Sequence, residues 1–347
     1  MGSQQLTTAT RTTLRMVAER AGVSTATVSY VLSGRSGGRT GVSTATIERV
    51  RAAAAELDYQ PNQAARAIRT GRTDMVLLSL TMLSDPWSQA MSAAVARAAG
   101  PAGLTSLILA DGDWPTVLAR QPADAAFIDA LSDVIPTDHD VRADRLAAVR
   151  RLARRGVRLV VFDDELDPDG FDVVRSPALP GCELAVRHLL ADHQRIGCLT
   201  SRPIDGTPRP RHQVFLDQMA AAGRTVRRTD VEYFERDTAS ACEAATRMLS
   251  RRSRPTAIYA VSDFAAIGAI QAALRLRLRV PEDIAVIGVG NTIESERMTP
   301  TLSTVGPTDF FDRVASTIVD RATGTATRPG ELHEFDWSLF VRQSTTI

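Results

Sequence analysis

The most constraining feature of this sequence is residues 14–73, which open with two short amphipathic segments joined at Gly22. The first segment has apolar residues at three- and four-residue spacing, which predicts a helix with one buried face, formed by Leu14, Val17, Ala18 and Ala21. Gly22 ends this helix because the turn needs a residue that tolerates positive φ. We expect Thr13 to cap the first helix and Ser24 to cap the second. The pattern predicts a helix-turn-helix, whose second helix enters the DNA major groove.

The outward residues of the second helix are the candidates for base contacts. Thr25 and Ala26 offer a hydroxyl and a methyl group to thymine, and Ser29 and Tyr30 reach bases or phosphates. The competing interpretation is an ordinary helical hairpin with small polar surface residues. The charge of the segment and the helices that follow it argue against that interpretation.

Two more helices are predicted before the sequence changes character. A third helix runs from its N-cap, Ser43, to about Leu57, and a short helix begins with Pro61. Residues 33–41 form a glycine-rich loop with Arg35 and Arg39. The loop either lies along phosphates or is simply solvated, and the sequence favours neither.

The charge of the chain is unevenly distributed. Residues 1–73 contain ten arginines and four acidic residues, a balance of +6, whereas the whole chain carries +1, which leaves −5 for residues 74–347. A basic segment attached to an acidic body is typical of a protein that binds nucleic acid through one end.

Composition excludes several classes of protein. None of the apolar runs reaches the roughly 18 residues of a membrane helix, and residues 1–13 lack the apolar core of a signal peptide. The three cysteines are widely spaced, which argues against a disulfide framework or a zinc site. We therefore expect a cytoplasmic protein with no membrane partner, no metal and no cofactor.

From residue 74 onward, apolar runs alternate with amphipathic helices. The predicted strands are 75–80, 105–110, 125–128, 159–162, 196–199, 231–234, 257–261 and 284–288. Predicted helices include 90–99, 142–155, 183–192, 211–222, 239–250 and 264–276. The alternation indicates βαβ units and parallel sheets, and so many units predict two subdomains separated by a cleft. Ligands bind such folds beyond the carboxyl ends of the strands.

The first 70 residues closely resemble the LacI/GalR family of bacterial repressors. The matching stretches are V-A-x-x-A-G-V-S-x-x-T-V-S-x-V-L at 17–32, V-S-x-x-T at 42–46 and Y-x-P-N-x-x-A-R-x-I at 59–68. The chain departs from the family at Met16, where Asp is usual, at Ser33, where Asn is common, and in a longer loop. The resemblance implies a DNA-binding set of Thr13, Leu14, Ser24, Thr25, Ala26, Thr27, Ser29, Tyr30, Asn62, Ala65, Arg66, Ile68 and Arg69.

Ile68 has a particular role in this resemblance. In the family, the short hinge helix inserts a Leu into the minor groove at the operator centre, and Ile68 holds that position here. Such a wedge opens a base step and kinks the duplex. The alternative is that Ile68 only packs against other helices.

The resemblance continues more weakly through the body and is strongest at 280–288 and 299–305. It implies a small all-α helix-turn-helix head plus an α/β body, a two-subdomain periplasmic-binding-protein-like fold with parallel sheets that dimerises and binds an effector. The implied effector residues are Trp87, Asp163, Arg211, Ser262, Asp263 and Asn291.

Some of these roles have alternatives. Arg211 suits hydroxyls or carboxylates, whereas Asp163 is either a ligand or a structural cap, and Trp87 either stacks on a ligand or belongs to the core. At 288–291 the chain reads Gly-Val-Gly-Asn, without the carboxylate that usually grips a sugar hydroxyl. A typical sugar effector is therefore in doubt, although Asn291 is a partial substitute.

We expect residues 1–12 to be a disordered tail, 13–60 the DNA-binding domain, 61–73 the hinge and linker, and 74–347 the effector and dimerisation domain. Within the last, residues 74–174 and 306–325 form one subdomain and 175–305 and 326–347 the other. The predicted function is a homodimeric repressor, with a tetramer left open, that binds a palindromic double-stranded operator under control of a sugar, nucleobase or other metabolite. The alternative is a DNA-binding regulator whose body is a ligand-free scaffold.

An enzyme is a poorer interpretation. Gly288, Gly290 and the preceding strand suggest a dinucleotide-binding turn, but the third glycine is missing. No glycine-rich turn follows the strand at 75–80, where such a motif normally lies.

Overall fold

The computed structural model describes residues 12–32, 42–60, 63–81, 83–110, 113–129, 131, 139–203, 206–235, 237–325 and 330–346. The chain divides into two compact units, residues 1–73 (the head) and 74–347 (the body). Residues 1–11, which make up most of the predicted tail, lie outside the described residues. The loop at 33–41 lies outside them as well.

The described part of the head is helical. Its helices are α1 (Leu14–Ala21), α2 (Thr25–Leu32), α3 (Thr44–Glu56) and α4 (Gln63–Thr70). α1, α2 and α3 pack around a small core in which Val17, Val28 and Val50 are completely buried. This core explains the predicted spacing of apolar residues, because each helix contributes one face to it.

The ends of the first helices follow from local chemistry. Thr13 Oγ1 accepts a hydrogen bond from the Met16 amide at 3.4 Å, and Ser43 Oγ accepts one from the Thr46 amide at 3.3 Å. Gly22 has a φ of 65°, in the left-handed region that a residue with a Cβ adopts at a cost. The predicted caps and turn are confirmed.

The body contains two six-stranded sheets. The first is formed by β1 (Met75–Leu80), β2 (Thr105–Ala110), β3 (Ala125–Ile128), β4 (Arg158–Phe162), β5 (Asp172–Arg175) and β11 (Leu332–Glu334). The second is formed by β6 (Ile196–Ser201), β7 (Val231–Phe234), β8 (Ala257–Ala260), β9 (Ala285–Val289), β10 (Ser303–Pro307) and β12 (Trp337–Phe340).

The strand orders are β11-β5-β4-β3-β1-β2 and β12-β10-β9-β8-β6-β7. Every strand pair is parallel except β10 with β12. The helices are α5 (Pro86–Ala99), α6 (Trp114–Arg120), α7 (His139–Arg154), α8 (Leu179–Asp192), α9 (Pro210–Ala221), α10 (Thr238–Leu249), α11 (Asp263–Arg275), α12 (Ile293–Arg297) and α13 (Phe310–Thr323). Helices cover both faces of each sheet, so β3, β8 and β9 are apolar along their whole length.

The chain passes between the two subdomains three times, after β5, after β10 and after β11. We expected residues 326–347 in the second subdomain, but β11 pairs with β5 and belongs to the first sheet. Only Leu332 of its three residues is apolar, so no run of hydrophobic residues marked it as a strand. Among the described residues, none of the helices combines the length and apolarity needed to cross a membrane.

Candidate functional site

The predicted base-reading surface lies at the start of α2. Thr25 and Ala26 are exposed there, as a residue that touches base edges must be. Ser24 Oγ accepts a hydrogen bond from the Thr27 amide at 3.1 Å and lies 2.9 Å from Thr27 Oγ1. Ser24 and Thr27 therefore hold the end of the helix in shape, while Thr25 and Ala26 face outward.

The other predicted contacts of this domain are less exposed. Ser29 and Tyr30 are half-buried, and the Tyr30 ring packs against the core of the head. Leu14 also packs against that core, whereas Thr13 is exposed beside it. The apolar bodies of Leu14 and Tyr30 thus stabilise the head.

The predicted hinge helix is present as α4. Ile68 on this helix is 87% exposed, although it is a large apolar side chain. Arg66 is exposed on the same helix, and its carbonyl accepts a hydrogen bond from Thr70 Oγ1 at 2.9 Å. Ala65 and Arg69 belong to α4 as well, and Asn62 lies outside the described residues.

A cavity of about 280 Å³ lies between the two sheets of the body. Its walls are the loops that follow the carboxyl ends of the strands, where open α/β sheets bind ligands. The first subdomain contributes Thr81, Asp85, Trp87, Asp129, Phe162 and Asp164, together with Phe310 and Ser176. The second contributes Arg211, Ser262, Asp263, Gly290, Thr292 and Trp337.

Arg211 is fixed in the cavity by neighbours from two segments. Its Nη1 donates a hydrogen bond to the Val261 carbonyl at 2.8 Å, and its guanidinium lies 5.9 Å from the centre of the Trp337 ring. Trp337 is held in turn, since its Nε1 donates to Ser176 Oγ at 2.9 Å. A Cβ on Gly181 would lie 2.5 Å from Trp337 Cε3, so α8 needs a glycine here for the indole to fit.

Ser262 and Asp263 stand together where α11 begins. Ser262 Oγ is buried and has no hydrogen-bond partner among the described residues, which marks it as a group that a ligand can satisfy. Asp263 accepts hydrogen bonds from the Thr292 amide, Thr292 Oγ1 and Thr304 Oγ1 at 2.6–2.9 Å. Burial nevertheless raises the pKa of Asp263, and the negative charge of Asp85 adds to the rise.

Trp87 combines both roles that the sequence left open. Its ring stacks on Phe162 at a centroid distance of 5.6 Å and meets Phe310 at 5.9 Å, so it belongs to the core of the first subdomain. It is also half-buried and lines the cavity, so part of its surface faces the cleft. The aromatic cluster therefore gives the cavity an apolar floor.

Two predicted effector residues do not line the cavity. The Asp163 carboxylate pairs with Arg142 at 2.8 Å and accepts hydrogen bonds from the Glu165 and Leu166 amides, so it holds the turn after β4. The Asn291 amide donates to the Pro307 carbonyl and accepts from Arg342 Nη2, so it holds the loop after β9. We correct both assignments, because these side chains are held by other partners and neither lines the cavity.

Several lining residues escaped the sequence analysis. Asp129 directly follows β3, Asp164 is the second residue after β4, and Asp85 caps α5. Their position after strands is a signal that could have identified them. Trp337 had no such signal, because it lies on a short strand next to a crossover.

A larger cavity of about 390 Å³ lies at the opposite, amino-terminal ends of β4 and β5. Its charged groups are already satisfied by each other, since Arg321 and Asp172 form a buried ion pair at 2.5–2.7 Å. Arg158 donates to the Arg321 carbonyl beside them. The cleft is therefore the better candidate for ligand binding.

Comparison with known proteins shows which protein family has this architecture. The sequence profile described as "Bacterial regulatory proteins, lacI family" matches residues 13–62, and the one described as "Periplasmic binding protein-like domain" matches residues 186–345. The HTH-type transcriptional repressor PurR of Proteus mirabilis is 32% identical over 321 residues, which cover 89% of this chain and 90% of that protein. This chain belongs to the LacI family.

Solved structures of transcriptional regulators agree with this assignment. A lac repressor dimer bound to operator and the anti-inducer ONPF is 26% identical, with a TM-score of 0.68 over 97% of this chain and all of that one. The transcriptional regulator CelR in complex with cellobiose is 27% identical, with a TM-score of 0.57 over 96% of this chain and all of that one. The predicted fold class and the predicted function, a DNA-binding repressor with an effector-binding domain and not an enzyme, are confirmed.

Proposed function

We propose that this repressor acts as a homodimer in the cytoplasm, with two heads on the half-sites of a palindromic operator and an effector in the cleft that sets operator affinity. The solved lac repressor structure, a dimer bound to operator, supports the assembly. Two copies related by a twofold axis place their α2 helices in successive major grooves, so the operator repeats its half-site in inverted orientation.

The observation that carries the DNA-binding part is the exposure of Ile68. A helix of eight residues is marginally stable in water, and this one presents a large apolar side chain that is 87% exposed. Burial of this exposed apolar side chain by a binding partner would stabilise the helix. Insertion between base pairs of the minor groove buries it and orders the hinge, which offsets the unstacking of one base step.

Control by the cleft follows from its position between the subdomains. A ligand that touches both walls favours one angle between them, and it shifts the equilibrium only by its differential affinity for the two states. Typical couplings of about 1–3 kcal/mol change operator affinity roughly 5- to 150-fold. Of the predicted residues, Trp87, Arg211, Ser262 and Asp263 remain our candidates for effector contact.

The test begins with operators selected from a pool of random duplexes by the purified full-length protein. We expect an inverted repeat to be enriched, and two protomers to bind each duplex in sedimentation experiments. Enrichment of a single half-site with one protomer per duplex contradicts the dimer. Operator binding that is retained but that no ligand of the cleft alters supports the alternative, a DNA-binding regulator whose body is a ligand-free scaffold.

A further inference from the structure

The cavity in the cleft has an excess of carboxylates. Among its described lining residues, Asp85, Asp129, Asp164 and Asp263 are acidic, and only Arg211 is basic. Asp164 is exposed, and its Oδ1 accepts the Ser176 amide at 2.8 Å. Its Oδ2 has no hydrogen-bond partner within the described chain. A negatively charged ligand is therefore repelled here, and a positively charged one is attracted.

The carboxylates come from both walls of the cleft. Asp85, Asp129 and Asp164 follow strands or cap a helix of the first subdomain, whereas Asp263 begins α11 in the second. Asp85 and Asp263 repel each other, as the raised pKa of Asp263 indicates, although burial is its larger cause. A cation between the walls offsets this repulsion and stabilises the arrangement in which they are close.

Aromatic rings line the same cavity. Trp87, Phe162 and Phe310 form a cluster with centroid distances of 5.6–5.9 Å in the first subdomain, and Trp337 faces the cavity from the second. Ring faces attract an ammonium group electrostatically, most strongly where water is excluded. Carboxylates combined with tryptophan and phenylalanine rings are the chemistry that recognises amines and quaternary ammonium groups.

The second subdomain adds a site for an oxygen atom. Arg211 carries further N–H donors beside the one given to Val261, and the unpartnered Ser262 Oγ lies in the same wall. A hydroxyl group both accepts a hydrogen bond from the guanidinium and donates one to the serine. After β9, Gly290 lines the cavity and offers no side chain to a ligand hydroxyl.

We propose that the effector is a small organic cation, an amine or quaternary ammonium compound that also carries a hydroxyl group. Its charged end lies beside the Asp164 carboxylate and the aromatic rings, and its hydroxyl lies against Arg211 and Ser262. This inference rests on the proposed function of the cleft as the effector site, and it sharpens that function by naming the ligand class.

The test compares pairs of probes that are similar in shape but differ in charge. Choline is paired with its neutral carbon isostere 3,3-dimethylbutan-1-ol, and glucosamine with glucose, in thermal unfolding and in titrations of intrinsic tryptophan fluorescence with the full-length protein. Each probe is raised to about 10 mM, where even a millimolar ligand stabilises a folded state measurably. We expect the cation of a pair to bind at least roughly tenfold more tightly. Equal binding within both pairs, or no binding by either cation, overturns the proposal.

A pair of variants locates the charge. Asp164→Asn keeps the oxygen that accepts the Ser176 amide but removes the negative charge, and should weaken the bound cation roughly three- to tenfold while leaving its neutral isostere unchanged. The control is Asp167→Asn, an exposed residue of the same segment outside the cavity. Equal effects of the two substitutions refute the placement.

These outcomes are distinguishable from failure of the proposed function. If a neutral sugar binds the cleft and alters operator affinity, the effector-controlled repressor stands and the cationic class is wrong. If operator binding is retained while probes of every charge leave the protein unaffected, the effector site itself is wrong.

Discussion

Replacing Ile68 with alanine isolates the contribution of the proposed wedge. The side chain is 87% exposed on α4, so its apolar surface is available for burial in DNA. The substitution removes three carbon atoms, which at about 0.8 kcal/mol each corresponds to about 2 kcal/mol per hinge. Operator affinity should fall about 30-fold for one hinge, and by roughly several hundredfold if both hinges contribute independently.

Alanine is the informative choice because it is the best helix former, so the loss does not come from melting α4. The assay is fluorescence anisotropy at one fixed salt concentration, with the selected operator and with a random duplex of equal length. Binding to the random duplex depends on phosphate contacts and should change little. The control variant Ile68→Leu should retain most of the operator affinity. Equal losses on both duplexes, or an unchanged operator affinity for Ile68→Ala, would refute the wedge.

Three further predictions concern the hinge, the cleft and acid stability. Arg66→Ala, and separately Arg69→Ala, should each lower the slope of log K against log salt by about two, about one for each protomer of the dimer, and an unchanged slope removes that arginine from the phosphate contacts. Arg211→Ala should leave operator affinity intact while blunting the response to a cleft ligand; a full response in titrations contradicts our placement of the ligand. Burial lowers the pKa of His212, so the unfolded chain binds more protons below about pH 6.5 and stability should fall as pH drops. His212→Phe should flatten that fall in urea unfolding between about pH 7 and 5, and an identical slope contradicts it.

The sequence predicted those parts of the fold that depend on local patterns. Thr13, Gly22 and Ser43 form hydrogen bonds with residues no more than four positions away, so a short stretch of sequence is enough to predict their roles. Central strands such as β3 and β9 are completely buried and read as continuous apolar runs. A strand that is covered by helices on both faces must be apolar at every position, whatever the sequence of those helices.

The sequence missed four strands, β5, β10, β11 and β12, and none of them is a continuous apolar run. β5 begins with Asp172, which is buried only because Arg321 pairs with it from 149 positions away in the sequence. β11 and β12 are short strands at the edges of their sheets, with polar and apolar residues mixed. Their register is set by the neighbouring strand, which no local window contains.

The cleft residues were likewise predictable only where local sequence determines their position. The strand end at 163–164 was recognised, but which of two adjacent aspartates faces the cavity depends on Arg142, which neutralises Asp163 from α7. Successive residues point in opposite directions near a strand end, so an error of one position reverses the role. Trp337 reaches the cavity because Gly181 leaves room for its indole, a contact that neither residue reveals alone.

The central claim is tested most directly by binding to a whole operator and to half of it. Stoichiometry and affinity are measured by sedimentation and anisotropy with the selected inverted repeat and with a duplex that carries one half-site beside random sequence. The account predicts two protomers on the inverted repeat and an affinity far above that for the half-site duplex, with Ile68→Ala reducing the difference. One protomer per duplex with equal affinities for the two DNAs would contradict it.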